Sequence, residues 1–180
     1  MPTASRLLVP VSVVLLAGLA GCGGVGGEST VGTIRTAPPE PTEQAIPDVE
    51  PVADADCPYL SAEDASRLNG EKVTDVRIDD RIEPAACFFY SADGAVQLTT
   101  TVYTLGSSEE ATRLVDQTAP VGQTERSDVE GGWTGGRSGG PGGALGALAR
   151  GERVLAVQST QEQSVKAQRV AELVAPRVAG

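Results

Sequence analysis

The stretch Ala86-Cys87-Phe88-Phe89-Tyr90-Ser91-Ala92-Asp93-Gly94-Ala95-Val96-Gln97-Leu98-Thr99-Thr100-Thr101-Val102-Tyr103-Thr104 decides the fold. Its first arm is apolar and aromatic. Its second arm alternates, with Val96, Leu98 and Val102 on one side and Gln97, Thr99 and Thr101 on the other. A period of two marks a strand with one covered face, which belongs in an antiparallel sheet. Asp93-Gly94 between the arms suits a type I′ turn, so the segment reads as a hairpin.

The flanking sequence adds helices and a second hairpin. Ser61 is an N-cap candidate with Glu63 and Asp64 in the first turn, and Asn69-Gly70 supplies a left-handed stop. Val73 to Asp80 reads as a strand with Val76 and Ile78 on one face. Downstream, Ser107 and Glu110 form a capping box before a helix that presents Ala111, Leu114, Val115 and Thr118, and Pro120 ends it. Ala144 to Arg150 and Arg153 to Thr160 form another hairpin about a type II′ turn at Gly151-Glu152. Thr160 and Gln163 then cap a last helix that buries Ala167, Val170, Ala171 and Val174, with Pro176 at its end. Hairpins followed by helices predict an α+β fold: an antiparallel sheet of two hairpins plus one further strand, with helices packed on one face.

The N-terminus has a secretory order. Arg6 precedes an apolar run from Leu7 to Ala20. That run is about 14 residues, short of the ~20 that span a bilayer as a helix. Leu19-Ala20-Gly21-Cys22 resembles the lipobox of bacterial lipoprotein signal peptides. The resemblance implies a signal peptide over residues 1–21, cleavage before Cys22, and a lipid on its sulfur. More than one acyl chain gives a stable anchor, so the expected location is the outer face of the cell membrane. Residues 22–56 carry Pro38, Pro39, Pro41, Pro47 and Pro51, few apolar side chains, and seven carboxylates against Arg35 alone. That composition cannot bury enough surface to offset ordering entropy, and it predicts a disordered acidic tether. A single domain over residues 57–180 follows.

Three cysteines are present. With Cys22 assigned to lipid, Cys57 and Cys87 remain as an even pair in an oxidising compartment, and a disulfide between them is expected. The competing reading, a nucleophilic Cys87, lacks an activating base because the chain contains no histidine.

The absence of histidine also removes Ser-His-Asp and Cys-His devices. The adjacent carboxylates Asp79-Asp80 and Glu109-Glu110 do not converge, since strand neighbours point to opposite faces and helix-start carboxylates complement the dipole. Neither a catalytic residue, a metal site nor a cofactor is expected. The formal charge of −10, without a basic stripe, argues against nucleic acid as a partner. Gly131-Gly132-Trp133-Thr134-Gly135-Gly136-Arg137-Ser138 falls one residue short of a phosphate-binding loop and lacks the flanking strand and helix such a loop needs. The Gly-rich run reads instead as a loop, open to two interpretations. It either presents Trp133 and Arg137 at a binding surface, or serves as a permissive connection while Trp133 plugs the core edge.

From Cys57 onward the chain resembles an uncharacterised actinobacterial lipoprotein family, domain of unknown function 2020. The similarity rests on Cys57-Pro58-Tyr59-Leu60, Pro84-Ala85-Ala86-Cys87-Phe88-Phe89, Gly132-Trp133-Thr134-Gly135-Gly136-Arg137, Gly143-Ala144-Leu145 and Gln163-Ser164-Val165-Lys166-Ala167. It implies an envelope location and a cysteine pair, and no activity. The expected function is a non-enzymatic binding domain on a lipid anchor, its partner an envelope protein or small molecule. The alternatives are a carrier of an apolar envelope molecule and an envelope enzyme that works with carboxylates alone.

Overall fold

The computed structural model describes residues 48–178. The expected signal peptide, Cys22 and most of the tether lie outside the described residues.

Among the described residues, eight strands form one sheet: β1 (Ala53–Asp54), β2 (Asp75–Asp79), β3 (Ala86–Tyr90), β4 (Val96–Thr104), β5 (Glu125–Val129), β6 (Trp133–Gly140), β7 (Gly143–Arg150) and β8 (Arg153–Ser159). Three helices accompany them: α1 (Ala62–Asn69), α2 (Ser108–Thr118) and α3 (Ser164–Val174). The strand order is β1-β2-β3-β4-β8-β7-β6-β5, and every pair is antiparallel. Two four-stranded meanders therefore meet at β4 and β8. α2 carries the chain from the centre of the sheet to its far edge.

The α+β class with an antiparallel sheet holds, but two finer expectations do not. The sheet contains more than two hairpins and a strand, because the polar run at 125–129 and the Gly-rich run at 133–140 are strands β5 and β6. The helices also lie on both faces. On the first face, α1 and α3 pack with Phe89, Leu98, Trp133, Leu148, Leu155 and Val157. On the second, Ala111 and Val115 of α2 and its C-cap Ala119 pack against Ala147 and Val154. The physical reason lies in β7 and β8. Ala147-Leu148-Ala149 and Val154-Leu155-Ala156-Val157 are apolar at both parities, the pattern of strands covered on two sides.

The helix starts follow local chemistry. Ser61 Oγ accepts from the Asp64 N–H at 3.1 Å, and Ser107 Oγ from the Glu110 N–H at 3.2 Å. Gly70 closes α1 at φ +80°, a conformation a side chain would resist. α3 differs from expectation: Gln163, not Thr160, is its N-cap, and no side-chain cap bond forms. The Thr160 hydroxyl instead faces the Gln97 carbonyl at 3.4 Å.

The β3–β4 turn differs too. Among the described residues, none other than glycine has a positive φ, so Asp93-Gly94 is not type I′. The Gly94 N–H bonds the Ser91 carbonyl and the Ser91 N–H bonds the Ala95 carbonyl, so the loop is one residue longer, with left-handed Gly94 as its last. A register shift then pairs Phe89 with Leu98 and Tyr90 with Val96, which leaves Gln97 as an extra residue.

The domain also begins earlier than residue 57. β1 pairs with β2, the Val52 N–H bonds the Ile78 carbonyl at 3.0 Å, and the Glu50 N–H bonds Asp79 Oδ2 at 2.9 Å. The last residues of the expected tether are thus a strap along the sheet edge. Cys57 and Cys87 are joined by a disulfide. Beside it, the buried Tyr59 hydroxyl lies 2.9 Å from the Ala85 carbonyl and 3.0 Å from that of Thr100. Burial pushes the Tyr59 phenol up to about 12.

Candidate binding groove

Strand register builds the site. Across the second face, Phe88 pairs with Thr99, Thr99 with Gln158, Gln158 with Leu145, and Leu145 with Ser138. Paired residues of a sheet share a face, so these five side chains form one row across five strands. α2 covers the other end of this face, around Ala147 and Val154, and leaves the row open.

A groove of about 620 Å³ lies over the row. Val96 joins Phe88 and Leu145 as its apolar lining; Thr99, Ser138, Gln158 and Thr160 supply hydroxyl and amide groups. Pro51 of the strap forms one rim, and Gly142 of the β6–β7 turn with Gly143 at the start of β7 forms the other. Among the described residues that line it, none is ionisable.

The bulge at Gln97 fixes one end of the groove. It turns the Gln97 side chain inward, where Oε1 accepts from Asn69 Nδ2 at 2.8 Å and Nε2 donates to the Lys72 carbonyl at 3.0 Å. Ser159, also on the groove wall, donates to Asn69 Oδ1. Lys166 Nζ of α3 reaches the Asn69 carbonyl at 2.7 Å. A buried, satisfied polar network of this kind rigidifies the wall and ties it to α1 and α3.

A second polar cluster holds the strap. Arg81 grips the buried Asp79 carboxylate with Nε at 2.8 Å and Nη2 at 2.7 Å. The remaining capacity of Asp79 accepts the N–H groups of Glu50 and Arg81. The Arg81 guanidinium, aided by those amides, holds the carboxyl well below the usual carboxylate range. Asp79 is thereby committed to structure. Glu110 is committed likewise, accepting the Gly106 N–H ahead of α2 at 2.9 Å.

Trp133 and Arg137 are not in the groove. The expected loop is strand β6, and both residues lie on its first face, opposite the groove row. Trp133 is fully buried in the core, and its Nε1–H has no hydrogen-bond partner among the described residues. Arg137 pairs with Glu125 of β5, its neighbour in register, at 2.9 Å. The sequence hid this because glycine is a poor strand former. Here it is required by closeness. A Cβ on Gly136 would lie 2.6 Å from Thr124 Oγ1 and 3.0 Å from the Cβ of Ala119, the C-cap of α2, and one on Gly139 would collide with the Glu162 carbonyl oxygen. The groove residues were missed as a set because Thr99 and Gln158 look like ordinary solvated strand positions. The available signal was Leu145, an apolar residue on the parity opposite Ala144 and Leu148.

Among the described residues, no group of three or more His, Cys, Asp or Glu side chains is placed to hold a metal ion. Nor is any helix there long and apolar enough to cross a membrane.

These features define an α+β domain with a helix-covered core face and a partly open second face. The chain belongs to the family described as domain of unknown function DUF2020, which matches residues 41–179. That match begins upstream of the strap, in keeping with a domain that starts before Cys57. No curated protein matches the chain.

Proposed function

We propose that this is a lipid-anchored cell-envelope protein whose domain is a non-enzymatic binding module. Its groove takes an uncharged segment of another envelope protein. The observation that carries this reading is the groove's lining. In a chain with a formal charge of −10, a groove crossing five strands is lined, among the described residues, by no ionisable side chain. A charged ligand there would lose hydration and gain no counter-charge. A neutral segment with both apolar and hydrogen-bonding groups would find partners in Phe88, Val96 and Leu145 and in Thr99, Ser138 and Gln158.

The carrier alternative has less support. It calls for an apolar cavity between sheet and helices, and those interfaces are filled by the two side-chain clusters. The carboxylate-enzyme alternative needs carboxylates free to react, and Asp79 is fully engaged by Arg81 and two backbone amides.

Two experiments test the reading. Leu145→Arg and Thr99→Lys each place a cation in the groove. Both should fold, by circular dichroism, and both should lose a protein that crosslinks to the wild type in membranes. Unchanged crosslinks would overturn the groove assignment. Separately, Cys22→Ser should release the protein from membranes, and continued retention would sink the lipid anchor.

A further inference from the structure

The two edges of the sheet are treated differently. Along β2, β1 pairs with Arg77 and Ile78, the Val52 N–H bonds the Ile78 carbonyl, and the Glu50 N–H bonds the Asp79 side chain. At the opposite edge, β5 pairs with β6 on one side and is the terminal strand of the sheet on the other. Such an edge offers a row of N–H and C=O groups to another strand.

The side chains of β5 say which strand fits. Arg126 and Asp128 stand exposed on the same face and pair with each other at 2.7 Å. Between them, Ser127 is buried on the other face. If two copies of β5 pair antiparallel about a two-fold axis through Ser127, Arg126 of each copy lies opposite Asp128 of the other. Glu125 then lies opposite Val129. No like charges meet, and the four charges of the two Arg–Asp pairs alternate in sign around a square. Moving the axis to residue 126 would set Arg126 against Arg126; moving it to residue 128 would set Asp128 against Asp128. A shift by an odd number of positions would put buried side chains on the wrong face. One register alone is favourable.

The surroundings add apolar surface. Val121, just ahead of β5, is 90% exposed, the most exposed large hydrophobic side chain among the described residues. It borders a hollow of about 290 Å³ that Val115, Ala119 and Arg126 also line, so this surface adjoins the same edge.

We infer that β5 is a self-association edge, through which a second copy of this chain pairs antiparallel about Ser127 to make a continuous sixteen-stranded sheet. The contact is isologous, so it closes at the dimer. The axis is perpendicular to the sheet, so both grooves open on the same side. The inference does not depend on the lipid anchor or on what the groove binds.

Sedimentation velocity on the detergent-solubilised full chain tests it. The wild type should sediment as a dimer. Arg126→Asp and Asp128→Arg should each weaken association by at least about tenfold, because like-charged cross-strand pairs replace opposite ones. The double variant Arg126→Asp/Asp128→Arg should restore it. Both residues are exposed, and circular dichroism should show all three variants folded. A wild type that is monomeric at every concentration would overturn the inference, as would a dimer indifferent to the single charge reversals.

Discussion

Glu50 donates its backbone N–H to Oδ2 of Asp79 at 2.9 Å, and so joins the strap to the sheet edge. The same carboxylate is gripped by Arg81, and Arg81 also lies 3.6 Å from the Glu50 side chain. One buried acid therefore holds the segment whose next residue, Pro51, forms a rim of the groove.

Asp79→Asn should loosen this attachment. The folded-state pKa of Asp79 is depressed below the unfolded value of about 4, so its stabilisation is complete above that pH and is lost as pH falls. Wild-type stability should drop more steeply below about pH 4 than that of the variant, in denaturant titrations run at several pH values. Amide exchange at Glu50 should be faster in the variant at neutral pH. Matching acid profiles would remove Asp79 from this role.

Trp133→Ala and Arg137→Ala should part company. Removing a fully buried tryptophan should cost about 3–5 kcal/mol, whereas Arg137 forms an ion pair with a largely exposed partner and should cost less than about 1 kcal/mol. Urea unfolding of the two variants measures both. Equal, small losses would place Trp133 outside the core.

Gly139→Ala should destabilise by about 1–3 kcal/mol, because the added Cβ meets backbone atoms. Those atoms are the Glu162 carbonyl oxygen and, at 2.6 Å, the Ser164 nitrogen at the start of α3. Gly94→Ala has open space around it and is strained only by its φ of +81°, so it serves as the comparison. A thermal midpoint unchanged by Gly139→Ala would show that α3 does not approach β6 this closely.

Replacing Cys57 and Cys87 together by alanine should cost about 3–4 kcal/mol, the chain-entropy value for a loop of this size. The bond spans 30 residues. Chemical denaturation of the double variant measures the loss, and non-reducing mass mapping of the wild type should show the two cysteines joined. Free thiols there would refute the bond.

Much of the local structure was legible because it follows from short-range chemistry. Ser61 and Ser107 cap their helices because a hydroxyl three residues before a free N–H is a local solution. The alternation from Leu98 to Val102 announced β4, and the buried face of α3 followed its helical period. The cysteine pairing came from counting alone.

Other features were illegible because they depend on what lies across space. Whether the Gly-rich run at 133–140 makes a loop or a strand turns on its neighbours. β6 is a strand because β5 and β7 flank it, while α2 and α3 press too close for side chains at Gly136 and Gly139. The placement of helices on both faces needed the pairing of β7 with β8, which set Ala147 and Val154 under α2 and Leu148 and Leu155 under α3. The strap at residues 48–54 carries three carboxylates and Pro51, and its order comes from across space: the Asp79–Arg81 pair that takes the Glu50 N–H, and the pairing of β1 with β2.

The α+β class, the capping serines and the periodic faces of helices and strands were written in the chain itself, because each is set within a few neighbouring residues. Strand order, the two-sided helix cover and the uncharged row Phe88, Thr99, Gln158, Leu145 and Ser138 emerged only once the chain was folded. Those five residues sit on five different strands, and hydrogen-bonded register alone brings them onto one face.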